Sequence, residues 1–334
     1  MVMKLLINHL SFGYIKRPLS VVDFSCELSG GENLALLGGE GAGKTSLLRI
    51  ISGLEKQYAG TMFFDKKNAE LISLEERNFS YIPSDPVIFF NKTIYQNLKF
   101  LFDVINKPFD ENIAVSVLNK FGIDEPLNTK MKKLSSAKQK VFTLVRCFIK
   151  KPQLILLDDL FKDENEEDCI FIKNAILTLF NEKSAQTSMI YVENSKNQLK
   201  IANQYFYFSF GKNYKIDDIE TLKKNPIDLF ACDFFENNKK DYSLMFDGNN
   251  YYLLDQEFVY KKNKIVDVKN LRQIKLGANF NYILEKQKLH ESEQMEVTVV
   301  SFVKIDDLSD EKLNTIAKNN QIFIFDKNTF IKVL

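Results

Sequence analysis

An α/β core built on a largely parallel sheet, followed by a smaller and mostly β domain, is the fold class this sequence predicts. Three observations carry it. Short apolar runs alternate with stretches of helical periodicity up to about residue 212. Several of those runs have no polar face, as strands covered on both sides by other elements require. After Gly211 the texture changes to short strands separated by polar turns such as Asp247-Gly248-Asn249-Asn250. The 334 residues suit two domains. A composition that is 45% hydrophobic and 27% charged can build their cores without disulfides or structural metals.

In chain order, residues 5–14 and 21–28 read as strands and Asn33–Leu37 as a buried one. A glycine-rich turn follows, and residues 45–52 have helical spacing. Residues 60–65 form a strand after a glycine break, and Phe79–Ile82 a short one ended by Pro83. About 84–150 is mostly helical and is expected as a helical subdomain. Residues 153–158, Ser188–Val192 and 205–210 supply further core strands. The first domain is thus expected over 1–212. Residues 213–235 read as a linker with a helix at Ile219–Lys224, and 236–334 as the second domain. There, strands are predicted at 251–254, 258–260, 264–268, 297–303 and 322–325, in a sandwich or barrel.

A formal charge of +1 argues against nucleic acid as a partner. Cys26, Cys147, Cys169 and Cys232 form no CxxC pair, which argues for reduced thiols rather than zinc or redox chemistry. The apolar run Leu5-Leu6-Ile7 is too short for a signal peptide, and no run of 18 apolar residues predicts a membrane span.

The chemistry lies in two stretches. Gly38-Gly39-Glu40-Gly41-Ala42-Gly43-Lys44-Thr45 fits GxxxxGK[ST] between a strand and a helix. Glycines let backbone N–H groups turn inward around a phosphate, and the helix N-terminus adds partial positive charge. Gly38, Gly39, Gly41, Gly43, Lys44, Thr45 and Ser46 are therefore the candidate phosphate contacts. Lys44 would reach the β and γ phosphates and Thr45 would ligate Mg²⁺. The second stretch is Leu154-Ile155-Leu156-Leu157-Asp158, an apolar strand ending in an acid, with Asp158 expected to hold Mg²⁺ through water. The predicted cofactors are ATP and Mg²⁺.

Between the two lies Leu134-Ser135-Ser136-Ala137-Lys138, then Arg146, then Pro152 just before the acidic strand. This layout resembles ATP-binding cassette (ABC) ATPases, whose LSGGQ signature opens a helix shortly before the acidic strand. The resemblance places Tyr14 where the family stacks an aromatic on adenine, and matches Thr93-Ile94 with Asn97 to a TVxxN segment. The stretch 220–234, Leu276-Gly277-Ala278-Asn279-Phe280-Asn281 and Ile324-Phe325-Asp326-Lys327-Asn328-Thr329 are similar to the ATPases of maltose-type sugar importers. It implies a P-loop ABC ATPase domain and a C-terminal OB-fold-like (TOBE) regulatory domain. It also implies two transmembrane permease subunits, a second ATPase subunit and, indirectly, an extracellular substrate-binding protein. The location would be peripheral, on the cytoplasmic face of the cell membrane.

Several positions depart from the family pattern. Asp159 stands where a glutamate polarises water, Asn194 where a switch histidine lies, and Ser84 where a glutamine reaches Mg²⁺. Ser135 of the signature is kept, for trans contact with phosphate on the other subunit. Ser136 and Ala137 replace glycines, and Lys138 a glutamine. Lys138 reads either as a cation aimed at phosphate or as a solvated first-turn lysine. The loop after the acidic strand reads Lys162-Asp163-Glu164-Asn165 in place of SALD. The sequence thus predicts an importer ATPase subunit that binds nucleotide but hydrolyses it poorly, paired with a more complete ATPase. The alternatives are a slow homodimeric importer ATPase acting through Asp159, and a non-catalytic regulatory protein that binds ATP.

Overall fold

The computed structural model describes residues 4–14, 19–57, 59–74, 76–194, 196–209 and 211–224, with Ile227 and Ala231. Beyond these it describes four strands, at 242–246, 250–255, 272–275 and 322–326. The chain divides into two compact units, Met1–Asp217 and Asp218–Leu334.

The first unit holds two sheets. Strands β1 (Leu5–Gly13), β2 (Leu19–Leu28), β4 (Ala59–Phe64) and β5 (Lys67–Asn68) make an antiparallel sheet in the order β2-β1-β4-β5. The other has six strands: β3 (Asn33–Leu37), β6 (Phe79–Ile82), β7 (Leu154–Leu157), β8 (Ser188–Val192), β9 (Gln204–Ser209) and β10 (Lys212–Ile216). Its order is β10-β9-β3-β8-β7-β6, parallel throughout except for β10.

The separate antiparallel sheet and the strand β10 were not expected. The alternating burial of β1 is what one covered face produces, whereas β3, β7 and β8 are buried at every position. Strand β10 lies in the region read as linker. Its Lys212 and Lys215 point to solvent from a sheet edge, and such lysines hide a strand from a hydropathy pattern.

Helix α1 (Lys44–Ser52) packs where the two sheets share a core. Leu47, Leu48, Ile50 and Ile51 meet Leu34, Leu36, Leu154, Leu156, Ile190 and Phe208 from the parallel sheet, and Ile7, Leu10, Phe24 and Met62 from the antiparallel one. Burying one leucine or isoleucine is worth about 1.5–3 kcal/mol, so these contacts hold α1, and the turn before it, against the sheet.

The segment 84–150 carries α2 (Ile94–Val104), α3 (Glu111–Lys120) and α4 (Ser136–Lys150). Thr93 and Gln96 form a reciprocal cap on α2, Asp110 caps α3 and Ser135 caps α4. Asn97, 1% exposed, bonds the Phe89 N–H and the carbonyls of Phe89 and Thr93, which fixes the turn before α2. Near the end of α4, Arg146 donates to the Val87 carbonyl at 2.6 Å, and Lys150 donates to the Phe79 carbonyl. Helix α5 (Glu166–Glu182) is capped by Asn165.

The described cysteines Cys26, Cys147 and Cys169 are free and buried, and burial pushes the Cys26 and Cys147 thiols up to about 12. Among the described residues no helix is long and apolar enough to cross a membrane.

In the second unit, α6 (Ile219–Lys224) occupies the position the sequence predicts. Strands β11 (Tyr242–Phe246), β12 (Asn250–Asp255), β13 (Arg272–Lys275) and β14 (Ile322–Asp326) form an antiparallel sheet ordered β13-β11-β12-β14. Leu244 lies opposite Leu253, and Leu253 opposite Phe323. Strands β12 and β14 were predicted, whereas β11 and β13 were not. The strands expected at 258–260, 264–268 and 297–303 lie outside the described residues.

Candidate nucleotide-binding site

Strands β3, β6, β7 and β8 run parallel, so their C-terminal ends share one edge of the sheet, where open α/β sheets gather ligands. The candidate residues leave from those ends: 38–45 after β3, Ser84 after β6, Asp158 and Asp159 after β7, and Asn194 after β8.

The 38–45 turn has a left-handed φ at Gly38, Gly41 and Gly43, and at two of these a side chain would also find no room. Gly38 and Gly43 have φ of 134° and 110°, and a Cβ would overlap the Phe208 carbonyl oxygen at the first and that of Ser20 at the second. Lys44 curls back so that its Nζ donates to the carbonyls of Gly38 at 2.7 Å and Gly39 at 2.6 Å. Burial pulls this ammonium down to about 8, against the opposing pull of Asp159, Asp158 and Glu40. Ser46 is buried in the first turn of α1, whose N-terminus has no side-chain cap and no acidic residue. Around Gly39 and Gly41 a Cβ would meet nothing within 4 Å.

A phosphate chain fits this arrangement. A half-buried cation, an uncapped helix N-terminus and open space about Gly39 and Gly41 come together within this one turn. Mg²⁺ suits a site that adds a carboxylate and a hydroxyl to phosphate oxygens. Among the described residues no group of three His, Cys, Asp or Glu stands ready to hold a metal by itself.

The structure brings Thr45 and Asp158 together. The Thr45 hydroxyl donates to Asp158 Oδ1 at 2.8 Å, and Asp158 is 4% exposed. Its Oδ2 accepts a 2.9 Å hydrogen bond from the Tyr81 hydroxyl, a partner that motif reading missed. Asp159 has a left-handed φ of 42°, and burial raises its carboxyl above the usual range although Lys44, Lys140 and Lys162 oppose the shift. Ser84 lies two residues beyond β6; the bonds to Asp158 come from Thr45 and Tyr81 instead. Tyr14 follows β1, 38% exposed, with its ring 4.9 Å from that of Phe12 and edge-on to it.

Asn194 is turned into its own loop. Its Oδ1 accepts from the N–H groups of Lys196 and Asn197. Beside it Glu193, 1% exposed, accepts from the N–H groups of Asn194 and Leu199 and from the Tyr191 hydroxyl. Burial raises the Glu193 carboxyl, against those backbone hydrogen bonds. A carboxyl raised by folding stabilises the fold fully below its unfolded value, near 4.5, and loses that contribution as pH climbs through the folded value. Glu193→Gln keeps an acceptor for the loop but cannot ionise. Urea midpoints measured from pH 5 to pH 8 should therefore fall less steeply with pH for Glu193→Gln than for the parent chain. Equal slopes would remove Glu193 from this role.

The signature stretch is held within its own chain. Ser135 Oγ accepts from the Lys138 N–H as the cap of α4, and among the described residues no hydrogen bond joins it to the 38–45 turn. Lys138 is neither aimed at a phosphate nor simply solvated, because its Nζ is 3.0 Å from Asp124 Oδ1 and 2.6 Å from Glu125 Oε1. Ser136 donates to Glu164 Oε1 at 2.6 Å, and Lys140 lies 2.8 Å from the same oxygen. The Lys140 and Glu164 side chains are 5% and 4% exposed, and Lys140 also donates to the Lys162 carbonyl.

Residues 21–162 match the family model described as ABC transporter. Over those residues the chain is similar to an ABC transporter ATPase domain. Such a domain implies ATP binding, typically with Mg²⁺. Similarity to individual proteins runs over a longer stretch. The sulfate/thiosulfate import ATP-binding protein CysA of Mesostigma viride is 27% identical over 240 residues, 69% of this chain and 66% of that protein. The molybdate/tungstate import ATP-binding protein WtpC of Pyrococcus horikoshii is 31% identical over 147 residues, 43% of each chain. The osmoprotective compounds uptake ATP-binding protein GgtA of Synechocystis sp. is 23% identical over 219 residues, 65% of this chain and 60% of that one. The chain thus spans 66% or less of the length of these relatives.

Proposed function

We propose that this chain is an ATP-binding, catalytically weakened ATPase subunit of an ABC importer, peripheral to the cytoplasmic face of a membrane. It works under two permease subunits, beside a more complete ATPase, and receives cargo indirectly from an extracellular substrate-binding protein. The relatives named above, all import or uptake ATP-binding proteins, support the importer reading. Their cargoes differ, whereas the 220–234 stretch and the two C-terminal stretches resemble sugar importers; on these we place the chain in the carbohydrate type, with a TOBE-like domain over 236–334. The permease and binding subunits choose the cargo.

One observation carries the weakened catalysis. Lys44, Thr45 and Asp158 converge on one site, while the Asn194 Oδ1 is spent on Lys196 and Asn197. Binding needs the first group; at the second position the loop fixes an uncharged amide, which can offer phosphate only its Nδ2–H and not the charge of a protonated imidazole. Asp159 is one methylene shorter than glutamate, and misplacement by about 1 Å costs about 10²-fold in rate.

The test combines calorimetry with a phosphate-release assay on the full chain. ATP should bind with Mg²⁺, and turnover should be near background and unchanged in Asp159→Asn. A second reading, a slow homodimeric ATPase, is favoured by the raised Asp159 carboxyl, since a base nearer neutrality takes a proton more readily. Turnover that is measurable and is abolished by Asp159→Asn would establish that reading instead.

A further inference from the structure

We infer that Tyr81 is a positioning residue for the magnesium site, orienting the Asp158 carboxylate from the neighbouring strand in place of a metal-reaching side chain at residue 84. The inference rests on the reading of this site as one for ATP and Mg²⁺.

Strand pairing puts Tyr81 there. Strands β6 and β7 are parallel, with Tyr81 opposite Leu156 and the Asp158 N–H bonded to the Ile82 carbonyl at 2.9 Å. Side chains alternate along a strand, so Asp158, two residues after Leu156, emerges on the face that Leu156 and Tyr81 share. That face is the one α1 covers, and the Tyr81 ring packs against the same core as Leu154, Leu156 and Leu47. The ring is therefore fixed by packing and its hydroxyl meets Asp158 Oδ2 at 2.9 Å.

The second oxygen gives the contact its meaning. Thr45 donates to Oδ1 and Tyr81 to Oδ2, so the carboxylate is held at both ends and cannot rotate about its own axis without losing a bond. An ionised carboxylate has about four acceptor positions. Two donors leave the others for a metal-bound water, in a fixed direction. Partners that orient a ligand in this way commonly change metal affinity about 10–100-fold when removed. Ser84 leaves β6 at the same edge with a side chain too short to take that part.

The experiment compares Tyr81→Phe with the parent chain by titration calorimetry, using ATP in EDTA and ATP with excess MgCl₂. Phenylalanine keeps the ring and its packing and removes only the hydroxyl. Affinity for ATP in EDTA should stay within about twofold, because Lys44 and the 38–45 turn are untouched. The gain in affinity on adding Mg²⁺ should shrink by about 10-fold or more. Tyr81→Leu, which also removes the ring, tests packing separately: its Mg²⁺ gain should be no larger than that of Tyr81→Phe. An undiminished gain in Tyr81→Phe overturns the inference, as does an equal loss in both titrations, which would mark a structural role. A parent chain that binds no ATP, or gains nothing from Mg²⁺, overturns the reading of the site and the inference with it.

Discussion

Lys44→Ala should lower ATP affinity by about 100-fold or more in calorimetry. A hydrogen bond to a charged group is worth about 1.5–3 kcal/mol, and this ammonium would serve two phosphates. In the structure it is poised for that exchange, since its present acceptors are the Gly38 and Gly39 carbonyls of the same turn. The loss should appear in EDTA as well as in Mg²⁺, unlike that of Tyr81→Phe. A pH dependence should accompany it. The free ammonium titrates near 8, and phosphate binds the charged form. Above that pH the parent chain should lose about tenfold in affinity per pH unit, and binding should take up a proton. Lys44→Ala should show neither effect. An unchanged affinity in the variant would mean that nucleotide binds elsewhere.

Breaking the Lys140–Glu164 pair from one side should be the most destabilising change near the site. Both side chains are almost wholly buried and 2.8 Å apart. Glu164→Leu leaves the ammonium without a counter-charge, on the Lys162 carbonyl, and Lys140→Met leaves a carboxylate that among the described residues keeps only the Ser136 donor. Either should cost about 3–5 kcal/mol of folding stability. The double replacement removes both charges and should cost far less than the sum, because an apolar pair of similar volume often substitutes without loss. Urea unfolding of the four proteins completes the cycle. Additive losses would show that the two side chains act separately.

The pattern of legibility follows from range. The phosphate turn and the acidic strand were readable because each is a local constraint: a run of glycines for the turn, and a run of apolar residues ending in one acid for the strand. The core strands at Asn33–Leu37 and Ser188–Val192 were readable because burial at every position leaves a mostly apolar run, whereas Phe79–Ile82, only partly buried, was readable from its short apolar run and the Pro83 that ends it. The Tyr81 contact with Asp158 depends on which strand lies beside which, and one sequence does not state strand order. Lys140 and Glu164 each look like a solvated charge, and only folding puts one against the other. Lys138 shows the same limit, since both of its expected roles gave way to Asp124 and Glu125. Strand β10 was hidden by its exposed lysines, and the division into two sheets by the absence of any local signal for sheet membership.

Helix α4 is fastened at both ends. At its start Ser136 and Lys140 hold the loop after Asp159, and at its end Arg146 holds the Val87 carbonyl beyond β6 and Lys150 the Phe79 carbonyl at the start of β6. A rod clamped at two points behaves as a crossbar. It can tilt only by carrying both anchorages along, so a push on the loop beyond Asp159 is delivered to the strand that bears Tyr81. The start of β6 and the stretch that follows it are thus tied through α4 to the loop beyond β7, and slow amide exchange should rise or fall in the two places together.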